Sequence, residues 1–145
     1  MEDAETIHNW RRLDERTTTS GQPTQAQLQG VAALGVRHVI NLAFHTHPSA
    51  LPDEAASVQA LGMEYTHIPV EFPEPAEADF AAFRAAMEQV GSAPVHVHCI
   101  FNWRVSAFLY RYRRDVLGMA EERIRPDLDA LWTPDEVWAR FIGLA

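Results

Sequence analysis

Three times along the chain, a stretch with apolar residues at helical spacing passes through a glycine into a short run rich in β-branched residues. Glycine just beyond a helix end is typical of helix termination, and apolar β-branched runs are typical of buried strands. The pattern therefore predicts helices that end at Gly35, Gly62 and Gly91, each followed by a strand. The predicted strands are residues 36–42, 63–68 and 94–98.

The starts of these three helices carry signals of their own. Thr24 and Gln27 have the spacing of a capping box, in which each side chain satisfies an amide that the first helical turn leaves free. Pro52 and Pro75 open the second and third helices, because proline is favoured in the first turn.

Two further helices are predicted in the carboxyl-terminal part of the chain. Apolar residues keep helical spacing over 103–117, directly behind the third strand. A second capping box, at Thr133 and Glu136, predicts a terminal helix. The helix over 103–117 is expected to turn three basic residues to solvent: Arg111, Arg113 and Arg114.

The order of these elements predicts the fold class. Successive predicted strands are far enough apart for a crossover helix between them. Parallel strands need such crossovers, which are almost always right-handed. We therefore expect an α/β fold with a parallel sheet, in a single domain over residues 1–145.

Composition and charge narrow the class of function. The 145 residues are 47% hydrophobic and 22% charged, and all 12 basic residues are arginine. The absence of lysine excludes a Schiff-base lysine, a lysine general base and a Walker-type phosphate lysine. A net charge of -8 argues against nucleic acid or an anionic membrane as the partner.

Cysteine usage and the amino terminus indicate the compartment. Cys99 is the single cysteine, so the chain forms neither an internal disulfide nor a four-thiolate zinc site. Residues 1–5 are acidic where a signal peptide is basic, and no apolar run approaches the roughly 18 residues of a membrane span. We therefore expect a cytoplasmic protein.

Chemistry is expected where the parallel strands end, because ligands bind outside the carboxyl ends of such strands. The segments concerned are 43–50, 69–75 and 99–104. In the last of these, the third strand carries Cys99 to its tip and Arg104 stands at the start of the next helix.

A helix amino terminus binds oxyanions and favours a thiolate, and arginine holds two oxygens of a phosphate at once. Cys99 is therefore a candidate nucleophile and Arg104 a candidate anion clamp. The alternative is that Cys99 is a small buried hydrophobe, the commoner role of a lone cysteine.

These residues resemble the cysteine-dependent protein tyrosine phosphatase superfamily. The similarity is greatest to a small bacterial phosphatase-like family that includes the β-lactamase hydrolase-like phosphatases. It covers roughly residues 20–117 and rests on four segments, 20–24 (Ser-Gly-Gln-Pro-Thr), 35–42, 62–70 and the loop from His98-Cys99 to Arg104. The resemblance implies a three-layer sandwich with a short, mainly parallel sheet flanked by helices.

The resemblance also implies a mechanism and its residues. Cys99 would attack phosphorus to give a phosphocysteine, without metal or other cofactor. The phosphate would be bound by the loop residues Ile100, Phe101, Asn102, Trp103 and Arg104. Glu71 would be the general acid, with Glu74 and Asp79 as alternatives. The substrate would be a phosphorylated small molecule or a phosphoprotein.

The loop departs from the superfamily pattern at three points. Four residues separate Cys99 from Arg104, one fewer than in most tyrosine phosphatases, as in the small family and in rhodaneses. Asn102 replaces the usual loop glycine, and we expect it to take the left-handed conformation that asparagine tolerates. Val105 occupies the position of the usual hydroxyl residue after the arginine, which leaves Ser106 and His98 as candidate supports for the thiolate.

Three other interpretations stay open. A rhodanese-like sulfurtransferase would carry a persulfide on Cys99, and a catalytically weak phosphate-binding module would bind its ligand without turnover. A metal-dependent hydrolase is the third, because two histidine pairs alternate along the chain, 45/47 and 96/98, with His67 between them. Four aromatic residues stand on the strand-end segments, where they either wall an apolar cleft or pack against helices: Phe44, Phe72, Phe101 and Trp103.

Overall fold

The computed structural model describes residues 3–144; Met1 and Glu2 of the acidic amino-terminal run, and Ala145, lie outside the described residues. The strands are β1 (Arg11–Arg12), β2 (Thr17–Ser20), β3 (His38–Asn41), β4 (Glu64–His67) and β5 (Val95–His98). The helices are α1 (Gln25–Ala33), α2 (Glu54–Ala60), α3 (Glu77–Val90), α4 (Trp103–Asp115), α5 (Glu121–Asp129) and α6 (Glu136–Ile142).

The five strands form one mainly parallel sheet in the order β1-β2-β5-β3-β4. Strand β5 lies at the centre and pairs in parallel with β2 and β3, and β4 extends the sheet in parallel beyond β3. Only the edge strand β1 runs antiparallel. The loop that follows β5 therefore leaves the middle of the sheet, between the loops that follow β2 and β3.

Helices cover both faces of the sheet, so the predicted three-layer α/β fold is confirmed. One face packs on α1 and α2 through a core that includes Leu28, Val39 and Val58. The other face packs on α3 to α6 through a larger core around Ile40 and Phe108. Val39 and Ile40 are adjacent in β3 and point to opposite faces, as successive strand residues do. No helix within residues 3–144 combines the length and the apolar character of a membrane span.

The predicted helix ends are confirmed, but two of the predicted starts are wrong. Pro52 and Pro75 each precede the N-cap residue, so α2 and α3 begin two residues later, at Glu54 and Glu77. Thr24 caps α1, and the capping box with Gln27 is complete. The three glycines that end helices have positive φ angles: Gly35, Gly62 and Gly91. The second capping box is wrong in detail, because the cap of α6 is Asp135, which accepts a hydrogen bond from the Trp138 amide, rather than Thr133.

The predicted solvent positions of Arg111 and Arg113 are wrong. The Arg111 side chain is 17% exposed and lies over the Phe80 ring. Arg113 is buried more deeply. Its side chain is 8% exposed and its Nη1 lies 2.8 Å from Oδ2 of Asp127 on α5. Asp127 also binds Arg11 of β1. This carboxylate therefore links α5 to both α4 and the edge strand β1. A buried pair with both charges compensated fixes the docking of α5 on α4.

A buried histidine links the strands at the centre of the sheet. Both ring nitrogens of His96 lie 2.8 Å from hydroxyls of β2, Nδ1 from Thr18 and Nε2 from Ser20, and the ring stacks on Trp10. Burial, and then the charge of His98, hold the pKa of His96 well below its usual range. His96 is therefore neutral in the folded protein.

This histidine predicts a loss of stability in acid. Below about pH 6.5 the unfolded chain protonates His96 and the folded protein does not, so the free energy of unfolding decreases as the pH falls. We expect His96 to contribute up to about 1.4 kcal/mol per pH unit between about pH 6.5 and pH 5. Urea denaturation over this interval measures the slope.

The variant His96→Gln should have a shallower slope than the wild type. His67 retains part of it, because burial also lowers the pKa of His67. The matched control is His8→Gln, since His8 is exposed. Equal slopes in wild type and His96→Gln would contradict the assignment.

Candidate active site

The three strand-end segments singled out in the sequence converge on one cleft. A cavity of about 450 Å³ is lined by residues from all three: Phe44, Thr46, His47, Glu71 and Arg104. A second cavity of about 240 Å³ has largely aromatic walls and shares His47 and Arg104 with the first; its other lining residues are Phe72, Ile100, Phe101 and Trp103. Arg104 thus stands between a polar and an apolar half of the cleft.

Cys99 is at the tip of β5, directly before the loop, and is 1% exposed. The three peptide units that follow it are held from outside the loop. The carbonyl oxygen of Cys99 lies 3.1 Å from His98 Nδ1, that of Ile100 accepts from the Gln22 amide at 3.0 Å, and that of Phe101 accepts from Asn9 Nδ2 at 2.9 Å.

The N–H of a planar trans peptide points away from its own carbonyl oxygen. Anchoring the three carbonyls therefore turns the amides of Ile100, Phe101 and Asn102 to the opposite side. Among the described residues, no backbone amide from Ile100 to Arg104 donates a hydrogen bond to another residue. Together with the Arg104 side chain, these amides form what we call the anion cradle, at the positive end of α4.

Asn102 takes the left-handed conformation expected of it, with φ 67° and ψ 12°. Its side-chain nitrogen donates to the Asn9 carbonyl and to the Thr19 hydroxyl, both at 2.9 Å. Because the Asn9 side chain donates to the Phe101 carbonyl, the two asparagines clamp the loop reciprocally. Asn102 is fully buried, so it shapes the loop from below and contributes its backbone to the cradle.

The segment 20–24, whose sequence resembles the family signature, is in contact with the loop. A Cβ at Gly21 would lie 2.4 Å from the Ile100 carbonyl oxygen, so any larger residue would displace the loop. Gln22 follows, and its backbone N–H donates a hydrogen bond to the same Ile100 carbonyl oxygen. The signature is therefore a support for the cradle.

Arg104 and the segment after β4 are fastened to each other. Nη1 of Arg104 donates to the Val70 carbonyl at 2.8 Å. Two residues along, the Phe72 carbonyl accepts from Nε1 of the buried Trp138 at 2.7 Å. Glu71 lies between these two anchors and lines the larger cavity with Arg104.

The other two candidate acids have different surroundings. Asp79 accepts a hydrogen bond from the Ala76 amide and so caps the start of α3. Glu74 is exposed and does not line either cavity. Of the three carboxylates, Glu71 is the one that faces the cleft.

Ser106 does not stand in for the missing hydroxyl at position 105. Its hydroxyl donates to the Trp103 carbonyl at 2.8 Å and accepts from Trp132 Nε1 at 3.0 Å. It also lines a small internal void beside Asp127. The expectation that Ser106 supports the thiolate is therefore corrected, because its hydrogen bonds lead away from Cys99.

The histidines do not assemble a metal centre. Within residues 3–144, no group of three or more His, Cys, Asp or Glu side chains has the arrangement of a metal site. The His45 ring stacks on His67 at 3.8 Å, and His67 Nε2 lies 2.6 Å from the Ala43 carbonyl. These rings pack against each other and hold the loop after β3.

Thr46 and His47 line the cleft from the loop after β3, within the segment 43–50 that the sequence singled out. Glu54 of α2 was not predicted from the sequence, and its Oε2 lies 2.5 Å from His98 Nε2. Glu54 is 1% exposed. An acidic residue at the start of a helix looks like a solvent-exposed capping charge, so nothing in the pattern distinguishes it.

Comparison with known proteins identifies the family of the chain. Residues 9–110 match the family described as "Beta-lactamase hydrolase-like protein, phosphatase-like domain". A curated Beta-lactamase hydrolase-like protein from Agrobacterium fabrum is 35% identical over 91 residues, which are 61% of this chain and 21% of the relative. The chain therefore spans about a fifth of that relative.

Solved structures give the same result over nearly the whole chain. A DUF442 protein from Shewanella putrefaciens CN-32 is 30% identical with a TM-score of 0.85, covering 97% of this chain and 92% of its own. TpbA of P. aeruginosa is 18% identical with a TM-score of 0.74, covering 97% of this chain and 86% of its own. The catalytic core of the S. cerevisiae PP-IP phosphatase SIW14 is 12% identical with a TM-score of 0.77, covering 95% and 85%.

At these low identities, TpbA and SIW14 establish the fold alone. The match over residues 9–110 and the Shewanella structure establish more, since they combine sequence with coverage. The chain belongs to the β-lactamase hydrolase-like phosphatase family, and its domain has the fold of the cysteine-based tyrosine phosphatases.

Proposed function

We propose that the protein is a phosphomonoester hydrolase of the tyrosine or dual-specificity type that acts through a phosphocysteine at Cys99. The observation that carries the proposal is the anion cradle. Three successive carbonyls are anchored, and within residues 3–144 the amides opposite them, beside Arg104, have no acceptor. Backbone amides and a guanidinium on one loop offer the donors that the three oxygens of a phosphoryl group require.

In the first step, the Cys99 thiolate attacks phosphorus. The S–P bond forms as the bond from phosphorus to the leaving oxygen breaks, and the leaving oxygen takes a proton from Glu71. Charge spreads over the three equatorial oxygens, where the cradle amides and Arg104 stabilise it.

In the second step, water attacks the phosphocysteine. Glu71, now a carboxylate, takes the proton from this water, a P–O bond forms and the S–P bond breaks. Inorganic phosphate leaves and the thiolate is restored, so the cycle needs no metal or redox partner.

The apolar half of the cleft supports an aromatic phosphate ester as substrate. Phe72 and Trp103 contribute its walls, and Phe101, 47% exposed, stands at its rim against Trp103. A planar leaving group would stack on these rings, as aromatic pairs do. A phosphotyrosine side chain or another aryl phosphate has the chemistry that fits, and a cysteine-to-serine variant of TpbA has been solved in complex with pTyr.

The experiment that tests the proposal measures phosphate release from p-nitrophenyl phosphate. We expect turnover that vanadate inhibits and that a chelator leaves intact, because the attacking group is a thiolate rather than a metal-bound hydroxide. Transfer of sulfur from thiosulfate to cyanide is measured in parallel. Sulfur transfer without phosphate release would indicate the rhodanese-like alternative, and phosphate binding without turnover would indicate a binding module.

A further inference from the structure

Glu54 is a carboxylate that the proposed reaction does not use, yet it is almost completely buried beneath the cleft. It is the first residue of α2. Its Oε2 lies 2.5 Å from His98 Nε2, and its Oε1 accepts a hydrogen bond from Gln22 Nε2 at 2.9 Å. Burying a carboxylate is costly unless it is paired with a cation and hydrogen-bonded.

The two ring nitrogens of His98 both face acceptors. Nε2 faces the Glu54 carboxylate, and Nδ1 faces the Cys99 carbonyl oxygen at 3.1 Å. A neutral imidazole has one N–H and so satisfies one of them, whereas an imidazolium donates to both. His96 differs, because hydroxyls face both of its nitrogens and can donate or accept as a neutral ring requires.

The charge on Glu54 is consistent with this assignment. Burial by itself would raise the pKa of Glu54. The charge and hydrogen bond of His98, together with the hydrogen bond from Gln22, outweigh burial and hold this pKa below its usual range.

The protonation of His98 bears directly on the cradle. A proton on Nδ1 anchors the Cys99 carbonyl and thereby turns the Ile100 amide of the same planar peptide to the opposite side. A His98 ring without a proton on Nδ1 would present a lone pair to that carbonyl oxygen. The peptide between Cys99 and Ile100 would then lose its anchor.

We propose that Glu54 is a positioning residue that keeps His98 as an imidazolium and thereby fixes the peptide between Cys99 and Ile100 in the orientation that the anion cradle needs. The positive charge of the His98 ring also lies next to Cys99, the residue proposed as the nucleophile. The inference rests on the proposed function for its catalytic meaning, but its structural content concerns the ring protons of His98 alone.

Other titratable groups around the Glu54–His98 pair come from two strands and one loop. They are His96 of β5, Tyr65 and His67 of β4, and His45 of the loop after β3. Burial lowers the pKa values of His96 and His67, so these rings are neutral near pH 7. Burial, and then the charge of Glu54, raise the pKa of Tyr65, which is also neutral. Glu54 is therefore the anion in this group that can balance His98.

The first test counts the ring protons of His98 in the wild-type protein. NMR of protein labelled with ¹⁵N in its histidines, with signals assigned by through-bond correlation, is recorded from about pH 5 to pH 8, the range in which histidine ordinarily titrates. We expect protons on both Nδ1 and Nε2 of His98 at neutral pH. A single ring proton would overturn the proposal, and this measurement needs no variant.

The second test compares Glu54→Gln with the surface control Glu88→Gln, which removes an exposed i,i+4 pair with Arg84. Glutamine keeps the shape of glutamate but removes its charge. We expect His98 to lose one ring proton at neutral pH in Glu54→Gln. Alkylation of Cys99 by iodoacetamide should be about tenfold slower, and the affinity for vanadate should be about tenfold lower. Glu88→Gln should match the wild type.

A double variant separates this role from general destabilisation. In a His98→Asn background, Glu54→Gln should cause no further loss of vanadate binding, because its effect passes through the His98 ring. Retention of both His98 ring protons in Glu54→Gln, or full additivity of the two changes, would overturn the proposal. Absence of phosphatase turnover in the wild type would refute the proposed function but would leave the count of ring protons unaffected.

Discussion

Replacing Cys99 with serine is expected to lower the turnover number for p-nitrophenyl phosphate by on the order of 10⁴-fold or more. A serine hydroxyl is scarcely ionised at neutral pH and has no general base assigned to it here, whereas a thiolate attacks directly. The side chain is 1% exposed and the substitution is nearly isosteric, so the cradle should keep its shape. Phosphate should therefore bind within about threefold of the wild-type affinity, as measured by calorimetry.

Because Cys99 is the single cysteine, alkylation of the wild-type protein provides an independent control. Iodoacetamide should inactivate the enzyme in proportion to the thiol consumed, and bound vanadate should protect it. Activity that survives in Cys99→Ser, or that survives complete alkylation, would eliminate covalent cysteine catalysis.

The sequence predicted the parts of the fold in which burial and hydrophobic pattern coincide. Strand β2 was missed because its residues, Thr-Thr-Thr-Ser, are polar although all four are buried. Three of their hydroxyls have partners in distant segments. The Thr18 and Ser20 hydroxyls contact the His96 ring, and the Thr19 hydroxyl accepts a hydrogen bond from Asn102. A strand that buries hydroxyls by pairing them gives no apolar signal.

Helix α5 was missed for a related reason, and the error extended to its neighbour. Its nine residues bury only Ile124 and Leu128, and Pro126 interrupts the helical pattern. Without α5 there was no partner for Arg113, which therefore looked like a solvent-facing charge. The true partner, Asp127, lies on the missing helix.

The candidate site was predictable where one segment carries it and not where distant segments meet. Cys99 and Arg104 are spaced along a single loop, and the left-handed Asn102 follows from its residue type. The supports of that loop, Asn9 and Glu54, are single polar residues far away in the sequence. Only the fold brings them to the loop.

Replacing Arg104 with lysine should lower the turnover number by about a hundredfold, or about 3 kcal/mol, while weakening phosphate binding much less. Arginine can hold two phosphoryl oxygens through parallel hydrogen bonds, and these strengthen as charge spreads over the equatorial oxygens. In the free protein, Nη1 is already engaged with the Val70 carbonyl, which orients the guanidinium beside the cleft. Lysine keeps the charge but cannot make both contacts.

The matched control is Arg84→Lys on α3. Arg84 is 54% exposed and pairs with Glu88 one turn away, so this change should leave the turnover number and phosphate binding at wild-type values. Arg113 would be unsuitable as a control, because its buried pair with Asp127 makes a lysine there a test of stability. Turnover on phosphate esters and calorimetric phosphate binding, measured for both variants, separate the two roles of Arg104. If Arg104→Lys weakened binding and turnover by the same modest factor, its guanidinium would supply only general positive charge, and the two-pronged contact with the transition state would have to be abandoned.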